Sequence, residues 1–458
     1  MGSRMQDLSP RRVAALAALA VRAGTAPAGP ARGATTDLCE GLVQDRAAHP
    51  MTEVAKPAAG QSFLDPQFGT TIRRISDAAA SGATIVKPMY STVPAWNADE
   101  SYLLLYHSGG AGIGHHLYDG RTYRHLKQLD IAPADLEQVY WDATNPRILY
   151  YVHKATRTLR RFDVVTDSHA SSKVVHDFST PPTSCRGSLS GGGDPMWTSW
   201  NSRRIGLVCD GNKQFTYDLA TDTVGKVVTL DAGDIAAQAA PSGELFFLNR
   251  KDVSEVRDRD LTLLRTLRGV GGNAHASLGT ADGVDTFFSV QYDTPVGDGT
   301  LFASDLATGV TRPIIAKATG YPYPPSGTHV SAIAYRRPGW LALSVVGKKS
   351  AGRVADGLRR LRGLLGEKGE GAAPDDRKLG QNLLDSEILL VNANTGGTVC
   401  RVAHHRSCGR ADDCGSVGYM AEPHAVISPS GTRILFGSDW GGEPRVETYV
   451  VELPAYRR

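Results

Sequence analysis

The chain has 458 residues, and its 50 lysines and arginines nearly balance its 47 aspartates and glutamates, which leaves a net charge of +3. This balance gives no indication of a nucleic-acid-binding protein, in which basic residues would dominate. The 50 glycines and 25 prolines imply many turns, which favours an all-β chain over a helical one.

The first predicted element is an export signal and leader over residues 1–35. Arg11 and Arg12 precede a short apolar run from Val13 to Val21, and small residues and prolines follow it. This order is typical of a signal that is removed after translocation, so we expect a periplasmic or secreted protein. The run is too short to cross a bilayer and no other segment reaches its length, so the sequence predicts no membrane span.

The six cysteines are even in number, as a disulfide-bonded exported chain permits. Cys185 with Cys209 is one pairing compatible with the sequence, and Cys408 with Cys414 or with Cys400 is another. Their spacings do not form the C-x-x-C pairs of a zinc ribbon. The sequence therefore indicates disulfides without fixing their connectivity.

One unit recurs over residues 69–458: an apolar strand, a polar turn, a second apolar strand and a third strand that ends near an aspartate. Turns such as "NADES", "APSGE" and "SPSGTR" contain the residues that tight hairpins need. Seven copies predict a seven-bladed β-propeller, with two β-sandwiches as the alternative. The strand "GTTIRRISD" at residues 69–77 is expected to join the last blade and close the ring, with residues 36–68 as an N-terminal extension.

Residues 348–381 interrupt the sixth unit between its second and third strands. The stretch "VADGLRRLRGLL" has helical period and several arginines, which predicts a helical insertion in blade six. A plain surface insertion, a flap over the site and a patch for an acidic polymer all remain open as its role.

Histidines gather at one face of the predicted propeller. In each blade, the start of the first strand and the turn after the second strand point to the same face. The histidines at the first-strand starts of blades five, six and seven are His275, His329 and His424. Neutral imidazoles from adjacent blades can bind a divalent metal, for which zinc is the first expectation and manganese or calcium are alternatives. His405, or else His404, is the expected fourth ligand, with Glu422 in reserve.

Two further histidines, His107 and His153, end the second strands of blades one and two. They suit the roles of base and charge neutraliser, and Tyr151 lies on the same strand face as His153. His115 and His116 begin the next strand of blade one, across the hairpin from His107. The sequence therefore predicts a catalytic group on the blades opposite the metal site.

Four stretches carry a resemblance to a known family: "AWNADESYLLLYH", "HASLG", "HVSAIAYRRPGW" and "EPHAVISPSGTRILFGSDW". They resemble the seven-bladed propeller polysaccharide lyases, namely ulvan lyases, rhamnose–glucuronate lyases and, more distantly, oligogalacturonate lyases. The last stretch is similar to a histidine-containing blade of oligogalacturonate lyases. The resemblance implies that His424 and His329 help to bind a metal, and that His275 is a ligand or a catalytic neighbour.

In the ulvan lyase branch, a histidine pair on an early blade and a tyrosine on the next blade serve catalysis. The positions that match are His107, His116 and Tyr151. Tyr140 or Tyr150 remain alternatives for the tyrosine. Arg186, in "SCRGSLSGGGDP", is the group that the resemblance implies for holding a uronate carboxylate.

The implied reaction is β-elimination at a uronic acid of an acidic polysaccharide or oligosaccharide. Arg186 or a protonated histidine suits neutralisation of the carboxylate, because the dianionic intermediate needs fixed positive charge. His107 or an ionised Tyr151 suits removal of the C5 proton. We expect the protein to act as a monomer.

A non-catalytic periplasmic propeller that serves as a binding or scaffold module is the alternative, because one fold hosts many functions. A hydrolase would need paired carboxylates on the same face. Glu137, Asp194 and Asp439 are scattered across blades, so a hydrolase ranks last.

Overall fold

Short apolar runs separated by tight turns fold into seven antiparallel sheets, which form the blades of a β-propeller. This confirms the all-β, seven-bladed fold predicted from the sequence. The computed structural model describes residues 37–190, 197–230, 235–249, 253–267, 275–291, 299–321, 327–346, 380–408 and 417–457.

Two strands precede the first blade, and the blades then follow in chain order. The strands up to blade three are β1 (Ser62–Leu64), β2 (Thr71–Arg74), β3 (Ile85–Lys87), β4 (Tyr102–Ser108), β5 (Gly114–Asp119), β6 (His125–Gln128), β7 (Val139–Trp141), β8 (Ile148–Val152), β9 (Thr158–Asp163), β10 (Lys173–Asp177), β11 (Leu189–Ser190), β12 (Arg204–Cys209), β13 (Lys213–Asp218), β14 (Thr223–Val224) and β15 (Val228–Thr229). Blade one comprises β3–β6, blade two β7–β10 and blade three β11–β15.

Blades four to seven continue the same meander. Their strands are β16 (Gln238–Ala239), β17 (Phe246–Asn249), β18 (Ser254–Arg257), β19 (Leu263–Leu267), β20 (His275–Ala281), β21 (Val284–Gln291), β22 (Thr300–Asp305), β23 (Thr311–Ile315), β24 (Gly327–Ser331), β25 (Trp340–Val345), β26 (Glu387–Asn392), β27 (Val399–His404), β28 (Val426–Ile427), β29 (Arg433–Ser438) and β30 (Glu447–Glu452). Blades four, five and six have four strands each, and β28–β30 form the inner part of blade seven.

The N-terminal strands complete blade seven. Strand β2 pairs antiparallel with β30, so that Ile72 lies opposite Val451, and β1 pairs with β2, so that Phe63 lies opposite Ile72. The predicted closing strand is therefore present, and the segment before it contributes one strand more. Closure leaves the last blade without an open edge on the β30 side.

The core lies between neighbouring blades. Leu104 of blade one packs in one cluster with Leu149 of blade two, and Phe288 of blade five packs in another with Val330 of blade six. Burying one such side chain stabilises the fold by roughly 1.5–3 kcal/mol. Because each blade is packed against its neighbours, the starts of the first strands are held at one end of the propeller.

Two disulfides join described residues, Cys39–Cys400 and Cys185–Cys209, with Cα–Cα distances of 5.9 and 5.8 Å. The second pair agrees with the sequence-based pairing. A bond between Cys400 and Cys408 is wrong, because Cys400 is bonded to Cys39. The N-terminal extension is therefore tied to the outer strand of blade six.

Two predicted segments lie outside the described residues. They are the leader at residues 1–35 and nearly all of the predicted helical insertion, since residues 347–379 between β25 and β26 are not described. The described helices are two short 3₁₀ turns, Lys317–Thr319 and Gly418–Ala421. Within the described part of the chain, no helix combines the length and apolar character that a membrane crossing requires.

Candidate active site and metal centre

Three of the histidines predicted as metal ligands meet at one end of the propeller. His275 opens β20, His329 lies in β24, and His424 precedes β28. The rings of His275 and His329 stack with centroids 4.1 Å apart, and the ring of His424 meets that of His329 edge-on at 4.0 Å. Residues far apart in sequence are thus brought into one group by the equivalent positions of their strands.

Glu422 joins this group. Its Oε2 lies 3.5 Å from His329 Nδ1, and one ligand atom each of His329, Glu422 and His424 fall within 4.8 Å of one another. His424 has a φ of 43°. This left-handed conformation costs a non-glycine residue of order 1 kcal/mol, and such strain is often retained at functional sites. These three side chains form the candidate metal centre.

The imidazoles of the centre are electrically suited to a cation. Burial first, then the neighbouring His424 and His275, holds the pKa of His329 well below its usual range. Burial and the adjacent Lys87 likewise hold the pKa of His424 well below its usual range. Both rings are therefore neutral at pH 7, which is the form that binds metals. His329 Nδ1 and His424 Nε2 are buried and make no hydrogen bond within the described structure, so the donor set fits a divalent ion.

Lys87 touches this centre and was missed by the sequence reasoning. Its Nζ donates hydrogen bonds of 3.0 Å to the carbonyls of Met420 and Glu422 and contacts His424 Nδ1. Burial lowers the pKa of Lys87 to about 7, although Glu422 and Glu137 oppose the shift. The feature of the sequence that could have indicated Lys87 is its position as a lysine inside the apolar run "TIVKPMY".

Two tyrosines border the centre. The Tyr419 hydroxyl lies 3.1 Å from His329 Nε2, and the Tyr90 ring lies 5.3 Å from that of His329. Tyr419 is 47 % exposed, so its hydroxyl stands between the buried histidines and solvent. Burial, and then the charges of Glu422 and Glu137, raise the pKa of Tyr419, which keeps it protonated at neutral pH.

A second group of rings lies within blade one. His107 and His116 stack with centroids 3.6 Å apart and an interplanar angle of 11°. His107 Nε2 is 2.8 Å from the Tyr118 hydroxyl, and His116 Nδ1 is 3.0 Å from His125 Nε2. The pairing of Leu105 with His116 across β4 and β5 places His107 and His116 on one face of the sheet.

The hydrogen bonds of this second group fix the tautomer of His116. His116 Nε2 lies 2.7 Å from the Gly112 carbonyl, which can only accept, so this nitrogen carries the proton. Neutral His116 must then accept at Nδ1 from the Nε2–H of His125, which is exposed to solvent. Burial, with His116 and His125 nearby, lowers the pKa of His107 to about 3. Sequence reasoning missed His125, because its relation to His116 depends on the pairing of β5 with β6.

Blade one links the His107 group to the candidate metal centre on blades five to seven. Val86 of β3 pairs with His107 of β4, and the next residue, Lys87, reaches His424. Strand pairing thus connects the proton-transfer rings to the candidate metal centre.

Two of the predicted site residues stand apart. His405 is buried, its Nε2 lies 3.1 Å from the Val345 carbonyl, and its Nδ1 accepts from the Ser407 amide. Both nitrogens are therefore occupied, and Glu422 rather than His405 lies with His329 and His424 in the candidate centre. Arg186 lies in an exposed loop of blade three, and its backbone N–H donates to Asp210.

Tyr151 and His153 form a separate pair on blade two. Tyr151 is buried in the core, and its hydroxyl lies 3.2 Å from Ser172 Oγ. Burial raises the pKa of Tyr151, which disfavours the ionised form expected from the sequence. His153 stacks on His169 at 5.1 Å and bonds Thr156 through Nδ1. No contact in the described structure joins this pair to the His107 group.

No protein-family model and no curated protein matches this chain. Among solved structures it is similar to an oligogalacturonate lyase from Vibrio parahaemolyticus, with a TM-score of 0.57 and 13 % identity over 86 % of this chain and 97 % of that one. It is also similar to an oligogalacturonate lyase in complex with manganese, with a TM-score of 0.55 and 16 % identity over 86 % and 96 % of the two chains. The similarity shows the propeller fold. Both solved structures are oligogalacturonate lyases, which the sequence analysis named as the more distant of the resembling families.

Proposed function

We propose that the protein is an exported polysaccharide lyase that cleaves a uronate-containing acidic polysaccharide by β-elimination. The observation that carries the proposal is a buried histidine group suited to a cation, linked through Lys87 and the pairing of β3 with β4 to a second histidine group on blade one. The same fold occurs in two oligogalacturonate lyases, one described in complex with manganese. Glucuronate polymers such as ulvan are included with pectate as candidate substrates.

In this proposal, His329, His424 and Glu422 hold a divalent metal, with His275 stacked against His329. A bound zinc or manganese ion would supply positive charge that stabilises the carboxylate of a uronate. Lys87 contacts His424 Nδ1, and in its neutral form it accepts the Nδ1 proton and leaves His424 Nε2 free for the metal. Arg186 is retained as the candidate for the outer grip on the carboxylate.

Proton removal at C5 is assigned to His107, with His116 as its stacked partner. The low pKa of His107 keeps the ring unprotonated at neutral pH, and an anionic substrate beside it would raise that pKa towards the working range. His116 stacks on His107 and is hydrogen-bonded in turn to His125.

Protonation of the leaving glycosidic oxygen is assigned to Tyr419 rather than Tyr151. Tyr419 is exposed at the centre and protonated, its oxygen can accept from His329 Nε2–H, and its hydroxyl also hydrogen-bonds Tyr90. Tyr151 has none of this access, since it is fully buried in the core between blades one and two.

The test is a substrate screen with metal analysis of the same sample. Purified protein is supplied with ulvan, glucuronan, gum arabic and pectate, and unsaturated products are followed by absorbance at the ultraviolet edge. We expect absorbance to grow on at least one polymer and to disappear with His107→Ala. Absence of product on all four, or full activity in His107→Ala, would contradict the lyase. A non-catalytic binding or scaffold module would bind a polymer without releasing product.

A further inference from the structure

A basic groove of about 400 Å³ lies at the end of the propeller opposite the histidines. Its walls come from the turns between the first and second strands of blades six, seven and one, from the turn between the third and fourth strands of blade one, and from the C-terminal residues. Arg336 and Ser430 lie in two of these turns, whereas His329 and His424 precede or begin the strands that lead into them. The groove is therefore separate from the candidate active site.

Three exposed arginines line this groove: Arg121, Arg336 and Arg457. None of their guanidinium groups lies within ion-pair distance of a carboxylate in the described structure. Arg433, deeper in the wall, is neutralised by Glu100 at 2.6 Å. Asp99 is the remaining acid of the lining, so the groove keeps an excess of positive charge.

The basic surface continues past the groove. Arg121 also lines a second cleft of about 280 Å³, together with Arg73, Thr122 and Tyr123. Two adjoining clefts that share one arginine can accept consecutive units of a chain, whereas a single small anion would need only one of them. The floor is rigid, because Arg433 is held over the rings of Trp96 and Tyr456 at 4.8 and 4.5 Å.

We propose that this groove is a second binding site for a carboxylate-bearing polysaccharide, which holds a distant part of the polymer while another part occupies the active site. The proposal deepens the proposed function and rests on it for the nature of the polymer. Guanidinium groups match carboxylates through two parallel hydrogen bonds, and a groove of this volume suits one or two sugar units. Nucleic acid is the less suitable occupant, because the chain as a whole is nearly balanced in charge.

The experiment measures binding of the full-length His107→Ala protein to sodium polygalacturonate, so that no cleavage disturbs the measurement. One variant adds Arg121→Gln, Arg336→Gln and Arg457→Gln. The matched control adds Arg147→Gln, Arg203→Gln and Arg259→Gln, which remove the same charge from exposed arginines that pair with carboxylates on blades two to four. We expect the groove variant to bind about tenfold more weakly and the control to stay within about twofold of the parent.

Equal losses of affinity in the groove and control variants would show a net-charge effect and overturn the proposal. Unchanged affinity in both variants would also overturn it. Binding of methyl-esterified polygalacturonate or of single-stranded DNA as tightly as the free acid would overturn the carboxylate assignment. A protein that keeps His107 and carries only the three groove substitutions should cleave short oligosaccharides at the same rate as the wild type. If no polymer is cleaved but the groove variant still loses binding, the lyase function fails and the groove stands. If cleavage occurs without a groove effect, the groove proposal alone fails.

Discussion

His329 and His424, on neighbouring blades, bring their imidazole rings to a centroid distance of 4.0 Å at an angle of 75°. His329 Nδ1 and His424 Nε2 are buried there without a hydrogen bond in the described structure. Each unsatisfied buried group costs about 1–3 kcal/mol, so a bound cation would remove a real penalty.

We therefore expect purified protein to contain a divalent metal, and chelation to lower its melting temperature. His424→Ala should abolish metal retention, measured by elemental analysis. His153→Ala is the matched control, since this histidine lies on blade two away from the centre, and it should retain the metal. Full metal content in His424→Ala would contradict the assignment of the centre.

Lys87 places a buried amine, whose pKa is lowered to about 7, beside the proposed metal ligands. At pH 6, where this amine is mostly protonated, Lys87→Met should tighten binding of Mn²⁺ about tenfold, because the ammonium repels the metal ion in a buried site. The same change should lower the melting temperature, since the carbonyls of Met420 and Glu422 lose their donor. Titration calorimetry with Mn²⁺ checks the affinity, and Lys87→Arg, which keeps the charge, should show no gain. Weaker binding in Lys87→Met would mean that Lys87 instead orients His424.

Replacing Tyr419 or Tyr151 by phenylalanine removes only the hydroxyl group and shows which of the two tyrosines acts as the acid. Tyr419→Phe should lower kcat by about 10²-fold or more, because general acid catalysis contributes 10²–10⁴-fold. Tyr151→Phe should keep kcat within about twofold, because its hydroxyl contacts only Ser172 and Arg160 groups away from the centre. Initial rates of unsaturated product formation are the measurement. The opposite ranking would return the acid role to Tyr151.

The Cys39–Cys400 disulfide closes a separation of 361 residues, compared with 24 for Cys185–Cys209. The double change of Cys39 and Cys400 to serine should reduce the free energy of unfolding by about 2–5 kcal/mol. Loop-closure entropy predicts that removing the shorter disulfide costs about 2 kcal/mol less. Chemical unfolding under non-reducing conditions compares the two. Equal losses would show that local packing, not chain entropy, dominates.

His115 makes stability depend on pH. Its Nε2 lies 2.8 Å from the Leu136 carbonyl, and burial lowers its pKa to about 4 from 6.5. Between these values the unfolded chain binds a proton that the folded chain does not, so the free energy of unfolding falls as pH decreases from 6.5 to 4. The loss from this group amounts to at most roughly 3 kcal/mol. Urea unfolding across this range should give a shallower slope for His115→Gln, and identical slopes would contradict the assignment.

The fold could be predicted because it repeats. Each blade carries its own apolar alternation and hairpin residues, as in "HAVISPSGTRILFGSDW", so the local pattern determines the strands seven times over. The same periodicity places His275, His329 and His424 at equivalent strand starts. Their meeting could therefore be expected from the sequence alone.

Other parts of the site depend on pairing between strands and blades, which local patterns do not encode. His125 reaches His116 only through the register of β6 on β5, and Lys87 reaches His424 only because blade one closes against blade seven. His405 looked equivalent to a ligand in sequence, yet the Val345 carbonyl and the Ser407 amide occupy its nitrogens.

The sequence by itself determined the propeller and the histidine positions, because blade periodicity is a local property of the chain. Only the tertiary structure decided which further side chains join these histidines, such as Lys87 beside His424, since that depends on burial, ring closure and hydrogen bonds between residues distant in sequence.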